Sequence, residues 1–91
     1  SDTAVIEEGV FIGKQSIVNA DAVIRKMAII NTHAIVEHEC EIGSFAHVAV
    51  NAVICGQVKV GDRSFIGANS TLVQNITVDP DSFIRAGAVI N

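Results

Sequence analysis

An aliphatic residue recurs at every sixth position of this chain, from Ile6 to Ile90, through fifteen consecutive hexads. The chain has 27 Val, Ile and Leu residues, so fifteen of them on one phase of six is not chance. The residue two positions before each of these is mostly Ala, Ser or Cys, and Gly or Asn often follows directly. A helix does not repeat every six residues, whereas a short strand followed by a turn does.

This period predicts an all-β chain that winds into a parallel β-helix. Side chains alternate along a strand, so the aliphatic residue and the small residue two before it both point inward. Three strand-turn units form a coil of 18 residues, and successive coils stack by parallel pairing, which gives about five coils for this length. Because Gly and Asn tolerate left-handed backbone angles, we expect the residues directly after the strands, such as Gly13 and Asn31, to supply the sharp corners.

Composition excludes several classes of function. The net charge is −4 and no basic run is present, so neither a nucleic acid nor an anionic membrane is an expected partner. No apolar stretch approaches the roughly 18 residues that span a bilayer, and no signal peptide is visible. Cys40 and Cys55 lack metal-site spacing, which favours a reduced, cytoplasmic protein. Cys40 occupies an inward small-residue position and is interpreted as core filler, whereas Cys55 lies at a corner.

Residues 18 apart stack, so the outer surface divides into three faces. We name them the phenylalanine face (Phe11, Ile29, His47, Phe65, Phe83), the aliphatic face (Ile17, Ile35, Val53, Thr71, Val89) and the polar face (Val5, Val23, Glu41, Lys59, Thr77). The first two are apolar and share the corner column Gln15, His33, Asn51, Asn69, Gly87. A homotrimer with that edge at the three-fold axis would bury both faces. The alternative is that these residues are ordinary exposed strand residues.

The tripeptide Glu37-His38-Glu39 falls at the far end of the aliphatic face, on the next corner. Gly56 stacks above His38, which predicts room beside the imidazole and a free backbone N–H. In the trimer, His47 on the phenylalanine face of a neighbouring subunit would line the same cleft. Glu39 is placed to orient the imidazole or to raise its basicity, and Glu37 either does the same or solvates the corner.

The stretch INTHAIVEHECEIGSFAHVAVNAVICGQVKVGDRSFIGANS, residues 30–70, resembles the hexapeptide-repeat acetyltransferases of bacterial surface-sugar pathways, the NeuD/PglD-like group. Those enzymes acetylate sialic acid on oxygen or nucleotide-linked amino sugars on nitrogen. The resemblance implies a left-handed β-helix, acetyl-CoA as co-substrate and no metal. It also implies His38 as general base with Glu39 as its partner, and Asn31, Glu37 and His47 as substrate-binding residues. Gly56 would offer its N–H to the acyl oxygen of the cofactor.

The chemistry fits this resemblance. Acetyl transfer from a thioester needs a base that works near neutral pH, which histidine provides, and a backbone N–H can stabilise the oxyanion. Members of the group usually carry an N-terminal nucleotide-sugar-binding domain and a C-terminal segment that closes the coil. We therefore expect residues 1–91 to form one β-helix domain truncated from a larger protein.

Two other functions remain open. His33 and His38 have the His-(four residues)-His spacing of the left-handed β-helix (γ-type) carbonic anhydrases, in which three histidines bind zinc across a subunit boundary. The third ligand of those enzymes lies about two coils earlier, where this chain has no histidine. A non-catalytic trimeric scaffold is the other alternative. Binding of acetyl-CoA would separate enzyme from scaffold, and bound zinc would support the carbonic anhydrase interpretation.

Overall fold

The computed structural model describes residues 3–91, and within them the chain forms fifteen two-residue β-strands and no α-helix. The strands in chain order are β1 (Val5–Ile6), β2 (Phe11–Ile12), β3 (Ile17–Val18), β4 (Val23–Ile24), β5 (Ile29–Ile30), β6 (Ile35–Val36), β7 (Glu41–Ile42), β8 (His47–Val48), β9 (Val53–Ile54), β10 (Lys59–Val60), β11 (Phe65–Ile66), β12 (Thr71–Leu72), β13 (Thr77–Val78), β14 (Phe83–Ile84) and β15 (Val89–Ile90). Each strand ends on the aliphatic residue of its hexad. No helix in this part of the chain is long and apolar enough to cross a bilayer.

Three parallel five-stranded sheets enclose the interior. Sheet A has the order β1-β4-β7-β10-β13, sheet B β2-β5-β8-β11-β14, and sheet C β3-β6-β9-β12-β15. Partner residues are 18 apart throughout, as in Val5 opposite Val23 and His47 opposite Phe65. Sheets A, B and C therefore carry the polar, phenylalanine and aliphatic faces respectively. The predicted all-β parallel β-helix of about five 18-residue coils is confirmed.

The core is a continuous stack of the inward aliphatic residues. Ile24, Ile42 and Ile66 are fully buried, and so are the small residues that precede such positions, including Ala34. Cys40 is also in the core, at 1% exposure, as the sequence predicts. The inward serines keep their hydroxyl groups hydrogen-bonded; that of Ser70 donates to the Gly67 carbonyl at 2.6 Å. A satisfied hydroxyl can be buried at little cost.

The prediction that the Gly and Asn directly after the strands take left-handed angles is wrong. Positive φ falls two residues further on, at every corner from Gly9 to Gly87, and most of these tips are not glycine. The non-glycine tips are Gln15, Asp21, Met27, His33, Glu39, Phe45, Asn51, Gln57, Arg63, Asn69, Asn75 and Asp81, with φ between 58° and 70°. From Met27 onward, each tip N–H donates to a carbonyl 19 residues earlier, for example His33 to Lys14 at 3.0 Å. These inter-coil bonds hold a conformation that side chains otherwise disfavour.

Glycine follows several strands for a different reason, because the backbone of the next coil lies too close for a side chain. A Cβ on Gly13 would lie 2.7 Å from the Thr32 nitrogen, and one on Gly61 would lie 2.3 Å from the Pro80 nitrogen. These glycines allow close approach of the coils, and the backbone angles of the corner are set elsewhere.

Candidate active site

His38 lies on the corner between sheets C and A, two residues after the end of β6. The left-handed tip at Glu39 donates its N–H to the Ala20 carbonyl at 2.9 Å, which fixes the turn and directs both side chains outward. His38 Nδ1 is 3.2 Å from Glu39 Oε1, and both side chains are about half exposed. Because an ionised carboxylate can only accept a hydrogen bond, Nδ1 carries the proton. The lone pair of the neutral ring is then on Nε2.

Gly56 stacks on His38, as its position 18 residues later predicts. The register is fixed by the next residue, Gln57, whose N–H donates to the His38 carbonyl at 3.0 Å. A Cβ on Gly56 would lie 2.6 Å from His38 Nε2, so the imidazole occupies the space that a side chain would fill. No group among residues 3–91 accepts a hydrogen bond from the Gly56 N–H. A ring nitrogen and an unpaired backbone donor therefore lie at one corner.

Glu37 precedes His38 on the same corner and is held from the coil below. The side-chain amide of Asn19, which stacks 18 residues earlier, donates to Glu37 Oε1 at 2.9 Å. The Glu37 N–H donates to the Ile54 carbonyl at 2.9 Å, so its backbone is fixed from the coil above. Sequence reasoning did not single out Asn19, although its place in the Glu37 column is a signal that identifies it.

Asn31 and His47 form a second group, at the edge where sheet B meets the next corner. Asn31 Nδ2 lies 3.3 Å from His47 Nε2, and Asn31 Oδ1 accepts the Thr32 N–H at 2.7 Å. The His47 ring packs edge-on against Phe65, with centroids 5.2 Å apart and an interplanar angle of 75°. Phe65 in turn stacks on Phe83 at 5.3 Å. Both the position and the plane of the His47 ring are thus determined by neighbours.

The six predicted site residues fall into these two groups, which lie on different corners of the same chain. Glu37, His38, Glu39 and Gly56 share the corner between sheets C and A. Asn31 and His47 lie at the end of sheet B, and the structure of one chain does not bring the two groups together. His33 is at the exposed tip next to Asn31, and its imidazole makes no hydrogen bond within residues 3–91.

Concave surfaces occur elsewhere on the chain. One depression of about 240 Å³ lies over the polar face, against Glu41, Lys59 and Thr77. Another of about 520 Å³ lies at the end of the last coil, against Phe83 and Val89. Neither of these two depressions includes His38. No group of three or more His, Cys, Asp or Glu side chains within residues 3–91 is arranged to hold a metal ion.

The two cysteines are free and lie close together. The Cys40 thiol donates to the Cys55 carbonyl at 2.9 Å, and Cys55 itself is half-buried beside Gly56. Burial raises the pKa of the Cys40 thiol above its ordinary value, because the thiolate would lose its hydration. A buried, protonated thiol of this kind is a poor nucleophile.

The chain is similar to several solved structures of acetyltransferases. The acetyltransferase domain of PglB from Neisseria gonorrhoeae is 32% identical over 98% of this chain, with a TM-score of 0.72. PerB from Caulobacter crescentus, solved with CoA and GDP-perosamine, is 33% identical over 98% of this chain, with a TM-score of 0.82. The chain spans 46% of the length of each of these proteins.

A hexapeptide-repeat acetyltransferase from Vibrio cholerae, at 18% identity over 90% of this chain and 59% of its own length, shares the fold with a TM-score of 0.73. A search of curated protein sequences finds no match. The family described as bacterial transferase hexapeptide (six repeats) matches residues 39–74 and 57–91. These matches cover more than half of the chain and confirm the predicted resemblance. The chain belongs to the bacterial transferase hexapeptide family.

Proposed function

We propose that this β-helix is the catalytic part of an acetyl-CoA-dependent acetyltransferase that acts on a bacterial sugar. The observation that carries the proposal is the corner at which His38 contacts Glu39 and covers Gly56. It supplies a base, a partner that fixes the base, and an unpaired N–H donor. The likeness at above 30% identity to PglB and PerB supports the same activity.

In the proposed reaction, His38 Nε2 takes the proton from the acceptor amine or hydroxyl as that group attacks the thioester carbonyl. Glu39 holds the Nδ1 proton and stabilises the imidazolium that forms, which is the established role of a carboxylate behind a catalytic histidine. The Gly56 N–H donates to the oxyanion of the tetrahedral intermediate. The intermediate collapses by breaking the C–S bond, and the CoA thiolate leaves and takes the proton from His38, which returns the base to its neutral form. No covalent acyl-enzyme is needed, so neither Cys40 nor Cys55 acts as a nucleophile.

Glu37, Asn31 and His47 are proposed to bind the substrate. Glu37 is held by Asn19 beside the base, where a carboxylate can accept a hydrogen bond from an amine or hydroxyl of the sugar. Asn31 and His47 would reach the substrate from a neighbouring subunit, because they lie on another corner of their own chain. The acceptor is a nucleotide-linked amino sugar, or alternatively sialic acid acetylated on oxygen. PerB, solved with GDP-perosamine, favours the first.

The proposed assembly is a homotrimer. Phe83 and Val89 are 73% and 64% exposed in a single chain, and Phe11 and Ile17 are also exposed on the phenylalanine and aliphatic faces. The polar face differs, since Arg25 bridges Glu7 and Glu41 at 3.0 and 3.1 Å and Lys59 is exposed beside them. Apolar side chains on two faces and charges on the third favour burial of those two faces against copies of the chain.

The other parts of the proposal concern the whole protein. The chain spans 46% of these solved relatives, which supports further segments in the whole protein. One of them is proposed to bind the sugar nucleotide. Two free cysteines support a reducing compartment, the cytoplasm.

Calorimetric titration of this chain with acetyl-CoA, with zinc chloride as a parallel titration, tests the proposal. We expect saturable binding of acetyl-CoA by both the wild type and His38→Ala, and acetyl transfer to a nucleotide-linked amino sugar by the wild type alone. A trimer that binds neither acetyl-CoA nor zinc would favour the scaffold, and stoichiometric zinc would favour the carbonic anhydrase chemistry.

A further inference from the structure

His47 and His38 differ in what contacts their Nε2 atoms, and the difference assigns a chemical state to His47. The amide orientation of Asn31 follows from its contacts. Its Oδ1 lies 2.7 Å from the Thr32 nitrogen, and a backbone N–H can only donate, so the oxygen faces Thr32. The NH₂ group therefore faces His47, with Nδ2 3.3 Å from Nε2.

An NH₂ group is a donor, so Nε2 of His47 must accept. In a neutral imidazole one nitrogen accepts and the other carries the proton, which places the proton of His47 on Nδ1. Protonation of Nε2 would bring two donors face to face. Phe65 packs against the imidazole with its ring at 75° to it, and this contact fixes the plane in which the imidazole meets Asn31.

We infer that Asn31 holds His47 as the neutral Nδ1–H tautomer, which makes His47 a hydrogen-bond donor to an acceptor oxygen of the ligand and excludes it as the base. Within residues 3–91, Nδ1 of His47 has no hydrogen-bond partner, so this proton is available to a carbonyl, hydroxyl or phosphoryl oxygen. Asn31 acts here as a positioning residue.

The contrast with His38 explains why two histidines have different roles. Each carries its proton on Nδ1, but the Nε2 lone pair of His47 is occupied by the Asn31 amide. At His38 the proton faces the Glu39 carboxylate and Nε2 faces Gly56, which brings no side chain. Of these two histidines, only His38 has a lone pair free to take a proton from the substrate. The tautomer of His47 is a property of the free chain, whereas its role toward a ligand rests on the proposed function.

Long-range proton–nitrogen correlation spectra of the ¹⁵N-histidine-labelled chain at a pH where the imidazoles are neutral test the inference. His47→Gln identifies the His47 signals. We expect the wild type to show protonated Nδ1 and bare Nε2 at His47. Asn31→Asp replaces the donor by a carboxylate and should invert this pattern to protonated Nε2. Glu37→Gln is the control, since it leaves the Asn31–His47 contact intact and should leave the tautomer unchanged.

A wild-type spectrum with protonated Nε2, or an equal mixture of tautomers, would overturn the inference, and this holds even if Asn31→Asp fails to fold.

A second measurement addresses the role of His47 in turnover. Gln can still donate a hydrogen bond and Leu cannot, so His47→Leu should turn over about 10-fold more slowly than His47→Gln. Equal loss in both variants would contradict a donor role. If the wild-type chain does not bind acetyl-CoA, the proposed function is contradicted, but the tautomer assigned to His47 is not affected.

Discussion

The imidazole of His38 lies in the space that a Cβ on Gly56 would occupy, with Nε2 at 2.6 Å from that position. Two residues 18 apart in sequence thus share one site, because one of them has no side chain. The stacking of coils sets both the position of the imidazole and that of the Gly56 N–H in the coil above it.

Gly56→Ala should displace the ring and lower turnover by on the order of 10²-fold, since a shift of about 1 Å in a catalytic group has that effect. The melting temperature should change little, because the His38 side chain is exposed and can move. Gly61→Ala is the matched control: its Cβ would meet the Pro80 backbone at 2.3 Å and should destabilise the fold by about 1–3 kcal/mol. Normal turnover in Gly56→Ala would show that ring position does not matter.

His38→Ala should lower turnover of the complete protein by roughly 10²–10⁴-fold, the usual contribution of a general base. His33→Ala serves as the comparison, because His33 lies on another corner and its imidazole makes no hydrogen bond within the described residues. Steady-state kinetics with a nucleotide amino sugar would measure both. If His33→Ala proved the more damaging, the base would be misassigned.

Val53→Lys should weaken the proposed trimer by placing a charge at the centre of the aliphatic face. Thr77→Lys adds the same charge to the polar face and should leave the assembly intact, since Thr77 is exposed there and pairs with Lys59 and not with an apolar face. Light scattering coupled to size-exclusion chromatography reads the mass directly. If the wild-type chain elutes as a stable monomer, the proposed intersubunit site is contradicted.

Cys55 should react with thiol reagents well before Cys40. Burial raises the pKa of the Cys40 thiol, so at any given pH a smaller fraction is thiolate, and its 1% exposure blocks access as well. Mass spectrometry after brief alkylation of the native chain should find one modified cysteine, and Cys55→Ser should abolish that labelling. Rapid modification of Cys40 in the native chain would indicate that the coils open locally.

The hexad pattern predicts the fold almost completely because each position has a fixed direction. Inward positions accept only apolar or small residues, so their period reveals every strand and the 18-residue register. The left-handed tips escaped prediction because their residues, such as Met27 and Phe45, have no shared character; the inter-coil hydrogen bonds impose the angle. Hydrogen bonds between backbone groups do not depend on which side chain is present, so the amino-acid composition of the tips does not reveal them.

The sequence nominates the residues of the candidate site but does not give their contacts. The resemblance names Asn31 and His47 separately, and only the structure pairs them. The pairing links residues 16 apart, two residues short of one coil, as does the bridge from Arg25 to Glu41. A search of the sequence for polar residues 16 apart would have suggested both the Asn31–His47 pair and the Arg25–Glu41 pair. It would not have shown which atom of Asn31 faces the ring, because that depends on the Thr32 N–H.

The 18-residue register also limits how such a chain can change in length. Insertion of one whole coil leaves every later side chain on its own face, so Phe65 and Phe83 would still stack on each other. Insertion of a single hexad turns the rest of the chain by one third and moves those phenylalanines onto a different side of the prism. Insertion or deletion of eighteen residues therefore keeps every residue on its own face, whereas insertion of six moves all later residues to a different face.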